Sequence, residues 1–504
     1  MTLVDRLTAA GRRWPDKPAV ASEHGALDFR SLDEQSDALA RRLAARGLAP
    51  GDRVAVWTDH APETAVALWA AWKAAAIAVP INATLGPASR AEILADCEPA
   101  ASLLCGRHAA LGLLEADVPH APDLVIRLEP GASTAGPGTA TRVPATPRDE
   151  DVAVIVYTSG STGTPKGVTL SHRNLGSVVD AVIEHVPVTA DDTYLMLVPL
   201  HYVHGLMQLL VHVAAGASVV FAGDFLFPRE IVRTLGERRI VEVSGTPWHV
   251  DLLVDRGDLL TAGLPALRRL GVVGGRLAPE RIAQIARARP GLEIHVAYGQ
   301  TECAPRATAL DPARIARKPA SVGSPIPGVA VHVLDERGLP VPRRRTGEVV
   351  IEGPNVMLGY WRKPGDTARV LDGRGRLHTG DLGWLDAEGD LHLEGRVDDL
   401  IKSAGERIAP REIERAVLAV PGILECVVVG VPDSALGQRI EAHVVLETGG
   451  RPGTSTELLA RIQDCCAREL PLQRRPRAVH VWPGLPRLAN GKLDRQRLAR
   501  DRER

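Results

Sequence analysis

At 504 residues the chain is too long for one small core; at roughly 150 residues per domain it corresponds to about three packed units. Hydrophobic residues make up 45% and charged residues 24%, close to the globular average, which argues against a fibrous repeat or general disorder. Sixty basic residues against sixty-one acidic ones leave a formal charge of -1, so the overall charge gives no case for a nucleic-acid or anionic-membrane surface.

The chain opens on MTLVDRLTAAGRRWPDK, which has no apolar core of signal-peptide length. Helical periodicity covers Leu32 to Leu48, and the compact apolar run VAVW, Val54 to Trp57, predicts a buried strand. The most membrane-like stretch, Ala65 to Ile81, is interrupted by Lys73 and ended by Pro80, so it reads as a buried helix running into a strand. From Glu129 to Arg148 the composition shifts to Pro, Gly, Ala, Ser and Thr, marking an exposed seam before the apolar strand VAVIVYT, Val152 to Thr158. A further helix is predicted over Pro279 to Ala288, a small β-rich unit over Gly353 to Asp399, and a new strand and helix alternation from Ile413. The six cysteines form no CxxC pair, which fits reduced thiols in a cytoplasmic protein rather than a zinc site. Helices alternating with buried strands define an α/β chain with mixed α+β parts.

The segment YTSGSTGTPKGV, Tyr157 to Val168, follows the Val152 strand directly. Gly160, Gly163 and Gly167 permit tight turns, while Thr158, Ser159, Ser161, Thr162 and Thr164 supply hydroxyls. Lys166 adds a mobile positive charge. Such a loop suits phosphate oxygens, and its spacing differs from GxxxxGK[ST], so it is not a Walker A loop. A flexible linker is the weaker reading, because linkers rarely follow an apolar strand or close on Pro-Lys-Gly.

This loop resembles the signature of the adenylate-forming superfamily that includes acyl-CoA synthetases, nonribosomal peptide adenylation domains and firefly luciferase. The resemblance extends in order through YGQTE (Tyr298 to Glu302), TGD (Thr379 to Asp381), GRVDDLIKSAGERIAPREIE (Gly395 to Glu414) and NGKLDR (Asn490 to Arg495). It implies a large N-terminal domain over 1–397, built of βα subdomains and a small β-barrel-like unit with seams near 130–150 and 320–353. A small mobile α+β domain over 398–504 is implied to follow, hinged at Asp398. The implied chemistry is attack of a carboxylate on the α-phosphorus of ATP with loss of pyrophosphate, then attack of a thiol on the acyl-adenylate.

By the same resemblance, Lys166, Thr301, Glu302 and Lys492 are the catalytic candidates, with Glu302 as the Mg²⁺ ligand and Lys492 bridging carboxylate and α-phosphate. ATP would be held by Thr158, Ser159, Gly160, Ser161, Thr162, Gly163, Gly274, Gly275, Arg276, Tyr298, Gly299, Gln300, Thr301, Asp381, Arg396 and Lys492. Lys402, Ser403 and Gly405 would line the thiol tunnel after rotation of the small domain. The aromatic gate segment departs from the family pattern, with His201 and Tyr202 in PLHYVHG. Tyr202, His204, Thr246, His249, Arg276, Cys303 and Arg306 are expected to line the acid pocket. Arg276 and Arg306 suit a polar or anionic group on the substrate; they equally suit solvent or a neighbouring carboxylate. With only four Phe and five Tyr in the chain, a short or medium acid fits better than a large planar one.

CoA is the expected acceptor. An acyl carrier protein, an amine, or nitrite in place of the acid are the alternatives, and the adenylation motifs do not separate them. No nucleic acid and no membrane insertion are expected, and a homodimer is compatible with the sequence.

Overall fold

The computed structural model describes residues 1–106, 122, 124–129, 146–159, 165–223, 225, 227–403, 406–433, 436–446, 455–467, 470–487 and 493–500. Most of the Pro/Gly-rich seam and residues 160–164 of the phosphate loop therefore lie outside the described residues. The chain divides into two compact units, Met1–Val331 with Ile351–His378, and His332–Val350 with Thr379–Arg504.

Two sheets build the first unit. The larger runs in the order Ser324–Pro325, Thr308–Leu310, Glu293–Tyr298, Arg269–Val272, Glu242–Gly245, Thr193–Met196, Ser218–Phe221, Pro18–Ser22, Gly25–Asp28. Its inner strands, Glu293–Tyr298 through Pro18–Ser22, are parallel neighbours. In the second sheet the order is Gly359–Tyr360, Pro165–Ser171, Val152–Ser159, Ile77–Asn82, Arg53–Thr58, Ala101–Cys105, Leu124–Leu128. Both sheets contribute to one apolar core, in which Val54 and Leu103 of one sheet and Val20 and Tyr194 of the other are fully buried. That two-sided burial accounts for the continuous apolar runs seen in the sequence.

The predicted helix around Leu32 spans Phe29–Ala45, capped by Asp28, whose side chain accepts from the Ser31 amide. The Ala65 to Ile81 stretch is the helix Pro62–Lys73 followed by the strand Ile77–Asn82. Every residue of that helix except Glu63 is buried, including Trp69 and Trp72, so it is apolar all round. Lys73 is tolerated because Asp33 and Asp37, one turn apart on the Phe29–Ala45 helix, hold its ammonium at 2.5 and 2.7 Å. Proline opens the helices Pro62–Lys73, Pro247–Asp255 and Pro279–Ala288, where its missing N–H would have had no partner. No helix among the described residues is long and apolar enough to cross a membrane. None of the six cysteines forms a disulfide among the described residues.

The strands of the second unit fall into two sheets. One has the order Ala330–Leu334, Gly347–Glu352, Leu377–Leu385, Leu391–Arg396. The other runs Glu406–Ile408, Ile401–Ser403, Gly437–Leu446, Ile423–Asp433, with Ala478–Val481 added beside Gly437–Leu446. The helices Pro410–Leu418 and Ser455–Cys466 cover the latter sheet, burying Ile413, Val417 and Ile462 against Val428 and Ala442.

Candidate active site

The phosphate loop joins two strands of one hairpin. Val152–Ser159 runs parallel to Ile77–Asn82, and after residues 160–164 the chain returns as the antiparallel strand Pro165–Ser171. Gly167 allows this hairpin to close, since a Cβ there would lie 2.6 Å from Ile155 and 3.2 Å from the Tyr157 ring. The Tyr157 hydroxyl donates to Asp96 Oδ2 at 2.6 Å, and burial pushes its pKa up, so it serves as a neutral brace.

A segment absent from the sequence-derived site completes this region. Gly359–Tyr360 pairs with Pro165–Ser171, the Lys363 ammonium donates to the Pro165 carbonyl at 2.8 Å, and the Trp361 indole donates to the Asp96 carbonyl at 3.2 Å. Lys166 lies 3.3 Å from Asp366 and 5.3 Å from the centre of the Tyr360 ring. The Tyr360 hydroxyl in turn donates to Glu302 Oε1 at 2.9 Å. Tyr360 thus touches both the cation of the phosphate loop and the carboxylate of YGQTE. Its signal was the aromatic-basic stretch GYWRKPGD, which carries no spacing that ties it to a phosphate loop almost two hundred residues earlier.

YGQTE sits where the Glu293–Tyr298 strand ends and turns back into Thr308–Leu310. Gly299 permits the turn, because a Cβ would come within 2.2 Å of the Pro305 carbonyl oxygen. Buried Asn355 closes it from outside, donating to the carbonyls of Arg306 at 2.9 Å and Cys303 at 3.3 Å. Thr301 and Glu302 are half-buried in the short helical turn Thr301–Cys303, and Cys303 is fully buried. Tyr298 is 8% exposed, whereas Gly274, Gly275 and Arg276 are exposed.

The remaining pocket candidates surround the carboxyl ends of the central strands. Thr246 caps the Pro247–Asp255 helix and meets His249 Nδ1 at 2.7 Å; burial lowers the His249 pKa to about 4. Tyr202 and His204 are half-buried at the start of the Val203–Ala214 helix. His204 Nε2 lies 2.9 Å from Ser244 Oγ, which also shares a 2.6 Å hydrogen bond with the Tyr194 hydroxyl. Burial first, and the Arg306 cation second, lower the His204 pKa to about 3. His201 contacts Thr58 Oγ1 through Nδ1 at 3.2 Å and is likewise held near 3 by burial. These histidines are neutral at neutral pH. Arg306 is buried, so the two arginines of the sequence-derived pocket part company.

In the second unit, Asp381 and Arg396 are register partners on adjacent strands, and Arg396 Nη1 donates to Asp381 Oδ1 at 3.1 Å. Asp398 is exposed, Lys402 is exposed and Ser403 buried. Gly405 and Lys492 lie outside the described residues. Just beyond Lys492, Arg495 is anchored to Glu414 Oε1 at 2.8 Å and to the Val428 carbonyl at 2.9 Å. A separate group of Glu441, His443 and His480 has its ligand atoms within 4.8 Å of one another. Arg439 and His480 already hold the Glu441 carboxylate, and the Trp482 indole donates to His443 Nδ1, so it reads as a structural hydrogen-bond cluster.

The family model for AMP-binding enzymes matches residues 7–361, and the model for the AMP-binding enzyme C-terminal domain matches residues 412–492. The chain belongs to the AMP-binding enzyme family. This member is 33% identical over 492 residues to a feruloyl-CoA synthase from an Amycolatopsis species, covering 94% of each chain. It is 33% identical over 512 residues to the sulfoacetate–CoA ligase of Cupriavidus necator, covering 99% of this chain and 97% of that one. Its structure is similar to ATP-bound MatB from Rhodopseudomonas palustris, with TM-score 0.85 and 28% identity over 99% of this chain and 98% of the other. Like these relatives it is an AMP-forming ligase with the two-part fold of adenylate-forming enzymes.

Proposed function

We propose that this AMP-binding enzyme activates a carboxylic acid as its acyl-adenylate and then forms the CoA thioester. In the first half, a carboxylate oxygen attacks the α-phosphorus of ATP and pyrophosphate leaves. In the second, the CoA sulfur attacks the acyl carbonyl, AMP departs, and the thiol proton passes to solvent. The observation that carries this reading is the Lys166, Tyr360, Glu302 constellation, which fixes a cation and a carboxylate against one aromatic ring beside the phosphate loop. Identity to CoA ligases along nearly the whole chain supports CoA as acceptor.

Crowding of negative charge at the α-phosphate is the main barrier, and fixed cations lower it most where water is excluded. Lys166 would bear on the departing phosphates, Thr301 would hydrogen-bond them, and Lys492 would bridge the carboxylate and the α-phosphate. Tyr298 is assigned to the adenine, Asp381 and Arg396 to the ribose, and Asp398 to the pivot between half-reactions. Lys402 to Gly405 are assigned to the thiol path. Glu302 fits a Mg²⁺ ligand: its Oε1 is oriented by Tyr360, while Oε2 receives no hydrogen bond among the described residues. Such an ion would neutralise phosphate charge.

The test is pyrophosphate release over short, aromatic and anionic acids, each with and without CoA. Acid-dependent release with CoA-dependent thioester formation is expected; release that never depends on an acid would reject the assignment. Lys492→Ala should abolish acid-dependent ATP-pyrophosphate exchange while sparing conversion of a supplied acyl-adenylate. Equal loss of both would reject the pivot.

A further inference from the structure

A buried arginine normally has its charge met by a carboxylate, because removing a cation from water without compensation is costly. Arg306 departs from this rule. It is 8% exposed, and among the described residues no carboxylate oxygen lies within 4.0 Å of its guanidinium and none of its nitrogens makes a hydrogen bond. Its side chain therefore presents donor groups in a planar fork with no acceptor among the described residues.

The surroundings do not supply an anion at contact range. Burial lowers the pKa values of His185, His204 and His295, and the Arg306 cation pulls each of them further down, so three imidazoles share its neighbourhood. Its own pKa is shifted downward by burial, against the pull of Glu242 and Tyr194. Glu242 is already engaged by Arg269 at 2.8 Å. Ser244, Gly271 and His295 are register neighbours across three parallel strands, so they share one sheet face. Gly271 leaves the middle of that row without a side chain, while Ser244 carries Tyr194 and His204.

The main-chain turn bearing Arg306 is fastened by Asn355, which donates to the Arg306 carbonyl at 2.9 Å, and Arg306 follows the metal-ligand candidate Glu302 by four residues. A largely buried cation with unmet donors, held on a fastened turn, is built for a ligand anion.

We propose that the acid activated by this protein carries a second anionic group, a carboxylate or a sulfonate, and that the Arg306 guanidinium receives it. This rests on reading the turn 299–306 as part of the acid site. The adenylated carboxylate and the recognised anion are then different ends of one small molecule. Arg306 is a specificity residue that takes no part in bond making.

The experiment measures pyrophosphate release with the full-length protein and ATP. Dicarboxylates and sulfocarboxylates of graded length are compared with monocarboxylates of equal length, for the wild type, Arg306→Gln and Arg306→Lys. The wild type is expected to prefer the dianions, and the ratio of kcat/KM for dianion over monoanion should fall about 10- to 100-fold in Arg306→Gln, with partial recovery in Arg306→Lys. The carboxylate and sulfonate arms identify the second group. A wild-type preference for monoanions overturns the proposal, as does an Arg306→Gln loss that is equal for both classes, which would make Arg306 a counter-charge for the Asp192, Glu242 and Arg269 cluster. Should Arg306→Gln fail to fold, the wild-type preference and the Arg306→Lys ratio decide. Absence of release with every acid would instead reject the ligase assignment itself, so the two failures are distinct.

Discussion

Two arginines of the first unit are buried to nearly the same depth, 4% exposed for Arg269 and 8% for Arg306, and their charges are met in opposite ways. Arg269 donates to Glu242 at 2.8 Å, to Asp192 at 2.7 Å and to the Pro187 carbonyl at 3.4 Å. Burial alone would raise the Glu242 pKa, yet His212 and Arg269 hold it at about 2. Arg306 makes no such bonds among the described residues. A cation whose donors are all met ties strands together. One whose donors are unmet keeps its binding energy for something that arrives later. His172 shows a third way to bury a base: it is kept neutral, with its pKa lowered to about 4 by burial, and accepts from the Leu3 amide at 3.4 Å.

The sharpest way to break this comparison is Arg269→Met, which strands Asp192 and Glu242. Urea denaturation should show a loss of roughly 3–5 kcal/mol, accompanied by equal activity losses for all acids. A loss below about 1 kcal/mol would mean that the cluster is not structural.

Acid provides the next largest effect. Between the native His172 value near 4 and the unfolded value near 6.5, the unfolded chain takes up a proton that the native state refuses. The contribution of His172 is therefore full above about pH 6.5 and falls as the pH drops toward 4. It should amount to a loss of about 2 kcal/mol at pH 5 relative to pH 7.5. Denaturation of the wild type and of His172→Gln at both pH values checks this: the variant should show a pH 5 loss smaller by about 2 kcal/mol, while buried His201, His204 and His249 keep their own share of the difference.

Tyr360→Phe removes the hydrogen bond to Glu302 while keeping the ring near Lys166. A decrease of about 1 kcal/mol in transition-state stabilisation, several-fold in kcat/KM, is expected for every acid alike. Discrimination by acid charge would place Tyr360 on the acid side instead.

Smallest of all should be the effect of Arg306→Gln on stability without substrate. Removing a cation that has no partner among the described residues is expected to shift the unfolding free energy by less than ~1 kcal/mol, in either direction. A loss comparable to that of Arg269→Met would erase the distinction between the two arginines.

Much of the fold could be read in the chain because local signals and burial agreed. The helix Pro62–Lys73 and strand Ile77–Asn82 appeared as one apolar run, and Lys73 argued correctly against a membrane span because a buried ammonium needs carboxylates nearby. The segment Tyr157 to Val168 stood out by its glycines and hydroxyls, but its return as a strand depends on Gly167 packing against Ile155, a contact between strands. Tyr360 and Asn355 were invisible because their partners lie far away in sequence. Arg276 and Arg306 looked alike beside their motifs, and only burial separates an exposed arginine from one with unmet donors.

The segment from Asn355 to Tyr360 also bears on how the chain is made. It clamps the turn 299–306 and gives Glu302 its hydroxyl donor, yet it is translated after both the phosphate loop and YGQTE. A nascent chain has the loop and the metal-ligand candidate long before either is fastened. Nucleotide binding can reward folding only once the site it stabilises exists. During synthesis the sheets must therefore form on the strength of their own apolar contacts, and the turn 299–306 goes without the Asn355 and Tyr360 contacts until residue 360 of the 504-residue chain has emerged.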